Sequence, residues 1–267
     1  MIFLVFFVIT YFIIRFYCFF TLLKEVSFLI DTVLQILAEK KINACPNQRI
    51  IPIEYDEKAY YIKRKISNGR NALIKQNTAA SFWCEAYKIM MVNQYFPLAP
   101  HIIFMSDDYF IMDAAGKTLQ HIAKEPEYTF IRNNAFAKAG EALALLHSTG
   151  LHHGRPALHD IAYKRETNTI TLLDWENERH FFSVDMKALD IFLFIHSCFR
   201  EEWSTTQLID IAVTAYLSVK GSAEQIMNVK QFVRHHAILF QLCRELASFG
   251  WINVTAVNWT RNYIEKI

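Results

Sequence analysis

Glycine and proline are scarce, with 7 and 6 among 267 residues, while 53% of the chain is hydrophobic and 15% aromatic. That combination excludes collagen-like repeats, linker-like low complexity and wholesale disorder. Neither sign of charge dominates: 28 Lys plus Arg against 26 Asp plus Glu leave a formal +2. Such a balance disfavours a protein that lives on phosphate backbones, and nucleic acid is not expected among its partners. Cysteine is present but unpaired in pattern. Cys18, Cys45, Cys84, Cys198 and Cys243 are odd in number, widely spread and contain no C-x-x-C, which points to reduced thiols in a cytosol-facing setting. The histidines His152, His153 and His159 cluster without an H-E-x-x-H pattern, so a zinc site is not expected. Ser148 and Ser183 lack a G-x-S-x-G context, which removes support for serine-hydrolase chemistry.

What the chain does have is a strongly biased start. Residues 1–23 contain 20 apolar side chains, interrupted only by Thr10, Arg15 and Thr21. As a helix this stretch would be about 35 Å long, enough to span a hydrocarbon core of ~30 Å. Arg15 opposes insertion by roughly 2.5–3.5 kcal/mol if central, which about twenty apolar side chains outweigh. No basic n-region or small-residue cleavage site marks a removable signal peptide. The alternative is an apolar helix packed on the domain or lying in the interface. Lys24, Lys40 and Lys41 follow, and the positive-inside rule then sets the rest of the chain on the cytoplasmic face of the inner membrane. Residues 24–42 read as an amphipathic connector with Leu29, Val33, Ile36 and Leu37 at helical spacing.

Beyond it, Arg49–Lys65 alternates around Tyr55-Asp56-Glu57-Lys58 as a two-stranded hairpin. Residues 78–95 carry Phe82, Ala86, Ile89, Met90 and Val92 at helical spacing, and Pro97 and Pro100 end them. HIIFM and YFIMD are short strands about Asp107-Asp108. After Ala114-Ala115-Gly116 the character turns helical, most clearly over residues 136–150 with Gly150 as a stop. Residues 170–175 (ITLLDW) form another strand, and residues 185–263 several helices. A strand-rich half with one helix, then a larger helical half, predicts an α+β protein of two lobes: residues 1–42 as anchor or interfacial helix plus connector, 43–114 as the first lobe and 115–267 as the second.

The order of chemically suggestive fragments is more telling than any one of them. Lys63 lies in a strand (YYIKR) and Glu85 in a helix (FWCEAYK); then come FIMDAAGKTL, LALLHSTGLHHGRPALHDIAY and ITLLDWE. A lysine able to hold nucleotide phosphates, a glutamate to hold the lysine, and carboxylates able to carry metal ions are the parts phosphoryl transfer needs. Over residues 49–200 this series resembles the protein-kinase-like fold, and within it the bacterial lipopolysaccharide-core (Kdo/heptose) kinases. The resemblance implies an ATP-dependent, Mg²⁺-requiring phosphotransferase acting on a hydroxyl of a sugar or lipid-linked glycan. It gives Lys63 and Glu85 to the nucleotide, with Lys75 in ALIK as a rival for Lys63. Asp113 and Gly116 fall at the hinge that meets the nucleotide, Asp174 and Asp160 at the metal positions, and Asp190 at a brace for the catalytic loop.

Two departures accompany the resemblance. The loop reads His153-Gly154-Arg155-Pro156-Ala157-Leu158-His159-Asp160, so the usual catalytic aspartate is Arg155 and the usual asparagine is Asp160. Arginine stays protonated and cannot act as a base. Either Asp160 or His159 orients the acceptor, with His153 in the loop and Arg155 neutralising phosphate, or the chain is a membrane-anchored pseudokinase; a protein serine/threonine kinase is a further alternative. Residues 24–68 also contain no glycine, so the glycine-rich nucleotide loop is missing.

Overall fold

A computed structural model describes residues 32–66, 78–175, 184–201 and 206–267. The expected apolar anchor at 1–23 and the rival Lys75 lie outside the described residues. The protein is mixed α+β with two antiparallel sheets, and the chain divides into two compact units: Met1–Met91 with Pro100–Ala114, and Val92–Ala99 with Ala115–Ile267. Among the described residues, no helix is long and apolar enough to cross a membrane.

The first unit holds helix α1 (Thr32–Ala44), strands β1 (Ile50–Tyr55) and β2 (Lys58–Arg64), most of helix α2 (Thr78–Asn93), and strands β3 (Ile102–Met105) and β4 (Tyr109–Asp113). The sheet runs β1-β2-β4-β3. Its hairpin turns through Asp56 and Glu57, both with positive φ (50° and 57°), the backbone that a two-residue turn requires to match strand twist. Because side chains alternate across a strand, neighbours Ile62 and Lys63 point to opposite faces. Ile62 joins Ile51, Ile53 and Ile111 in a core closed by Leu34 and Ala38 of α1. On the other face, Phe110, which pairs in register with Lys63, packs its ring 5.3 Å from that of Phe82 on α2.

The face of α1 differs from the one the spacing predicts. Leu34 and Ala38 are buried, whereas Val33 and Ile36 are exposed. A short helix with several apolar residues around its circumference offers more than one stripe, and the sheet selects the stripe whose small Ala38 permits close approach.

The second unit adds β5 (Lys117–Thr118), α3 (Leu119–Lys124), α4 (Arg132–Ser148), β6 (Ile161–Lys164), β7 (Thr169–Leu172), α5 (Met186–Phe199), α6 (Thr206–Ser218), α7 (Ala223–His235), α8 (Ala237–Leu246) and α9 (Ile252–Lys266). The small sheet is ordered β5-β6-β7. Helices α4 and α6 approach so closely that a Cβ at Gly140 would lie 1.9 Å from the Ala212 carbonyl oxygen, which makes glycine obligatory there. Asp185 starts α5 by accepting from the amides of Lys187 (2.9 Å) and Ala188 (3.4 Å), an N-cap. That start sets Asp190, one turn further on, inside the unit.

Candidate functional site

The site of the second unit is built on the loop between α4 and β6. Asp190, fully buried on α5, accepts from the amide of His153 at 2.6 Å and of Gly154 at 2.8 Å, and its Oδ2 lies 3.2 Å from His147 Nε2. Two consecutive amides on one carboxylate pin the loop backbone, and Gly154 takes φ +96° to allow it. His147, at the end of α4, meets the Tyr216 hydroxyl at 2.8 Å through Nδ1. Burial first, and Asp190 next, pushes the Tyr216 phenol above its ordinary range, so the hydroxyl that meets His147 keeps its proton.

His153 is wholly buried. Its Nε2 donates to the Leu173 carbonyl (2.7 Å), its Nδ1 accepts from the Arg155 amide (3.3 Å), and its ring packs 4.6 Å from that of Trp175. Both nitrogens are thus engaged with backbone, which makes His153 a tie between the loop and the end of β7. The Trp175 indole donates to the Leu172 carbonyl at 2.8 Å, and the Leu173 amide donates to the Asp160 carbonyl at 2.7 Å. These bonds join the two segments that carry the carboxylates.

Three charged side chains converge there. Arg155 Nη2 stands 2.8 Å from Asp174 Oδ2 and 3.4 Å from Asp160 Oδ2, and His159 Nε2 is 3.3 Å from the same Asp160 oxygen. Asp160 is buried, Asp174 partly so, and the Arg155 side chain is 45% exposed. Asp174 sits at φ +61°, a left-handed conformation that Asp and Asn tolerate better than most residues. Burial, and next the Arg155 guanidinium, hold the His159 imidazole below its ordinary value. Among the described residues no group of three or more His, Cys, Asp or Glu forms a metal-holding cluster; the carboxylates that converge are two.

In the first unit, Lys63 Nζ and Glu85 Oε1 are 2.5 Å apart, with side chains 4% and 2% exposed. Lys63 and Glu85 are therefore brought together as expected of them. Asp113 accepts from the His101 amide at 2.6 Å, closing the ends of β3 and β4. Gly116 has φ +97°, and a Cβ there would lie 2.5 Å from the Tyr163 carbonyl oxygen; close packing on β6 alone demands glycine. The partners the sequence did not reveal are His147 and Tyr216. His147 stands out as the one polar residue in the run LALLH, whereas Tyr216 carries no local signal.

No protein-family profile matches the chain. An uncharacterized protein of Haemophilus influenzae is 25% identical over 204 residues, covering 73% of this chain and 81% of that protein.

Removing one partner of a buried pair leaves an uncompensated charge, at a cost of about 3–5 kcal/mol. Lys63→Met should lower stability by that order in denaturant unfolding, and adding Glu85→Leu should restore most of it. Equal instability of the single and double variants would show that the pair is not the dominant interaction there.

Proposed function

We propose that the protein is an ATP-dependent phosphotransferase of protein-kinase-like fold, acting on a hydroxyl of a sugar or lipid-linked glycan. The observation that carries this reading is the loop tied to Asp190, with Asp160 at its end and Asp174 just beyond β7. The buried Lys63–Glu85 pair supports it, since protein kinases hold their phosphate-binding lysine with a helix glutamate. Asp160 and Asp174 offer hard oxygens suited to Mg²⁺, and these residues would hold that ion; when bound, it neutralises phosphate charge. Lys63 is assigned to the nucleotide phosphates. Arg155, permanently charged, offers a bidentate fork to phosphate oxygens once free of its carboxylates. His159 is assigned to the acceptor: the acceptor's hydroxyl oxygen bonds to the γ-phosphorus, the bond to the ADP oxygen breaks, and the imidazole takes the hydroxyl proton. A second reading, a kinase-like binding module without transfer, draws its support from Arg155 lying on both carboxylates.

We place the protein at the cytoplasmic membrane face, on the strength of the apolar residues 1–23 and of one further feature. Helix α8 buries Phe240 but turns Ile238, Leu242 and Leu246, spaced at i, i+4 and i+8, to solvent, with Ile238 82% exposed. Phe249 and Trp251, just past the end of this helix, are exposed as well, and the exposed Arg234 precedes it. Exposed aliphatic side chains with aromatics next to them in the chain suit the headgroup boundary of a bilayer.

Two measurements follow. ATP with Mg²⁺ should raise the melting temperature of the full chain, since ligand at 100 times Kd adds about 2.7 kcal/mol. Asp174→Asn keeps a residue tolerant of positive φ and should lose the Mg²⁺-dependent part of that rise while its ligand-free melting is unchanged; no response to ATP under any condition would refute the nucleotide reading. For the membrane, vesicles of brominated phosphatidylglycerol should quench a share of tryptophan emission that Trp251→Phe abolishes. Residues 1–23 contain no tryptophan, so the anchor itself is silent. Vesicle-bound protein with no Trp251-dependent quenching would show that this face does not meet lipid.

A further inference from the structure

Two carboxylates share one nitrogen in this site. Arg155 Nη2 is 2.8 Å from Asp174 Oδ2 and 3.4 Å from Asp160 Oδ2, so the guanidinium stands where a cation common to both would sit. A buried carboxylate beside a second one needs a positive partner, because like charges in a poorly solvated site raise each other's cost. The chain provides that partner from within.

The backbone and side chain of Arg155 behave differently. Its amide donates to His153 Nδ1 and its carbonyl accepts from the Ala157 amide at 2.8 Å, and the following Pro156 restricts its backbone to extended conformations. The side chain, by contrast, is nearly half exposed. A long, flexible, partly solvated arm on a fixed base is able to swing into water with no rearrangement of the loop.

We propose that the Arg155 guanidinium is the resident cation of the Asp160–Asp174 pair, and that a divalent metal ion reaches these carboxylates only by displacing it. Metal binding and arginine release are then one exchange. The released guanidinium becomes free to meet an anion brought with the metal, which couples metal entry to capture of a phosphate-bearing ligand. The inference rests on the reading of Asp160 and Asp174 as metal ligands given above, and it accounts for an arginine at a loop position where the resemblance leads one to expect an aspartate.

The test is titration of the full chain with Mn²⁺, followed by electron paramagnetic resonance, which needs neither nucleotide nor activity. Removing the competitor with Arg155→Met should tighten Mn²⁺ binding at least tenfold over the unaltered protein. Arg155→Lys, which keeps a charge but loses the fork, should fall between them, and Arg155→Met with Asp174→Asn should lose the gain. Arg155→Gln serves as a second neutral variant should Arg155→Met fail to fold. Equal Mn²⁺ affinity in the unaltered protein and both neutral variants, lost on Asp174→Asn, would overturn the exchange while leaving the metal ligands intact. Absence of Mn²⁺ binding in every variant would overturn both.

Discussion

The buried carboxylate of Asp190 is the interaction on which the second unit depends. It sits on α5, whose start Asp185 caps, and it takes two consecutive loop amides and the imidazole of His147. Leaving such amides without an acceptor would cost roughly 1–3 kcal/mol each. Once they are satisfied, the loop has one path, and that path fixes where Arg155, His159 and Asp160 emerge. His153 and the Leu173–Asp160 backbone bond then carry the constraint across to Asp174. A site assembled from three separate stretches of sequence thus inherits its geometry from one aspartate that touches none of its charged side-chain tips.

The two charge clusters obey the same electrostatic rule with different consequences. Lys63 and Glu85 are both nearly inaccessible, so neither exchanges its partner for water without leaving a buried charge behind. That pair is suited to holding an ammonium in one position. Arg155 closes its cluster from the solvent side, where departure costs far less because water replaces the lost contacts. One cluster is fixed and the other exchangeable, and the difference is decided by burial alone.

Much of this was legible in the sequence, and for identifiable reasons. The hairpin around Asp56-Glu57, the helix carrying Phe82 and Ala86, and the strands about Asp107-Asp108 follow from periodicity and turn residues. The pairing of Lys63 with Glu85 is what the resemblance to the protein-kinase-like fold implies, and the two side chains do meet. The outward stripe of α8 is not legible in the sequence, because apolar periodicity announces a stripe without saying what it faces. The same ambiguity holds for α1, which buries Leu34 and Ala38 rather than Val33 and Ile36. Two-residue β5 is too short to leave a pattern, and the His147–Tyr216 contact spans 69 positions, a separation that local signals do not bridge. That Arg155 would lie on both Asp160 and Asp174 depends on a loop conformation set by tertiary contacts, which residue types alone do not supply.

The central claim is that Asp160 and Asp174 belong to a metal–nucleotide site governed by Arg155. It is tested most directly by a crystal structure of the full chain grown with Mn²⁺ and a non-hydrolysable ATP analogue. The account predicts an anomalous Mn²⁺ peak on the Asp160 and Asp174 carboxylates, with the Arg155 side chain turned off them towards a phosphate. Arg155 still bridging both carboxylates in a crystal saturated with metal and analogue would contradict it.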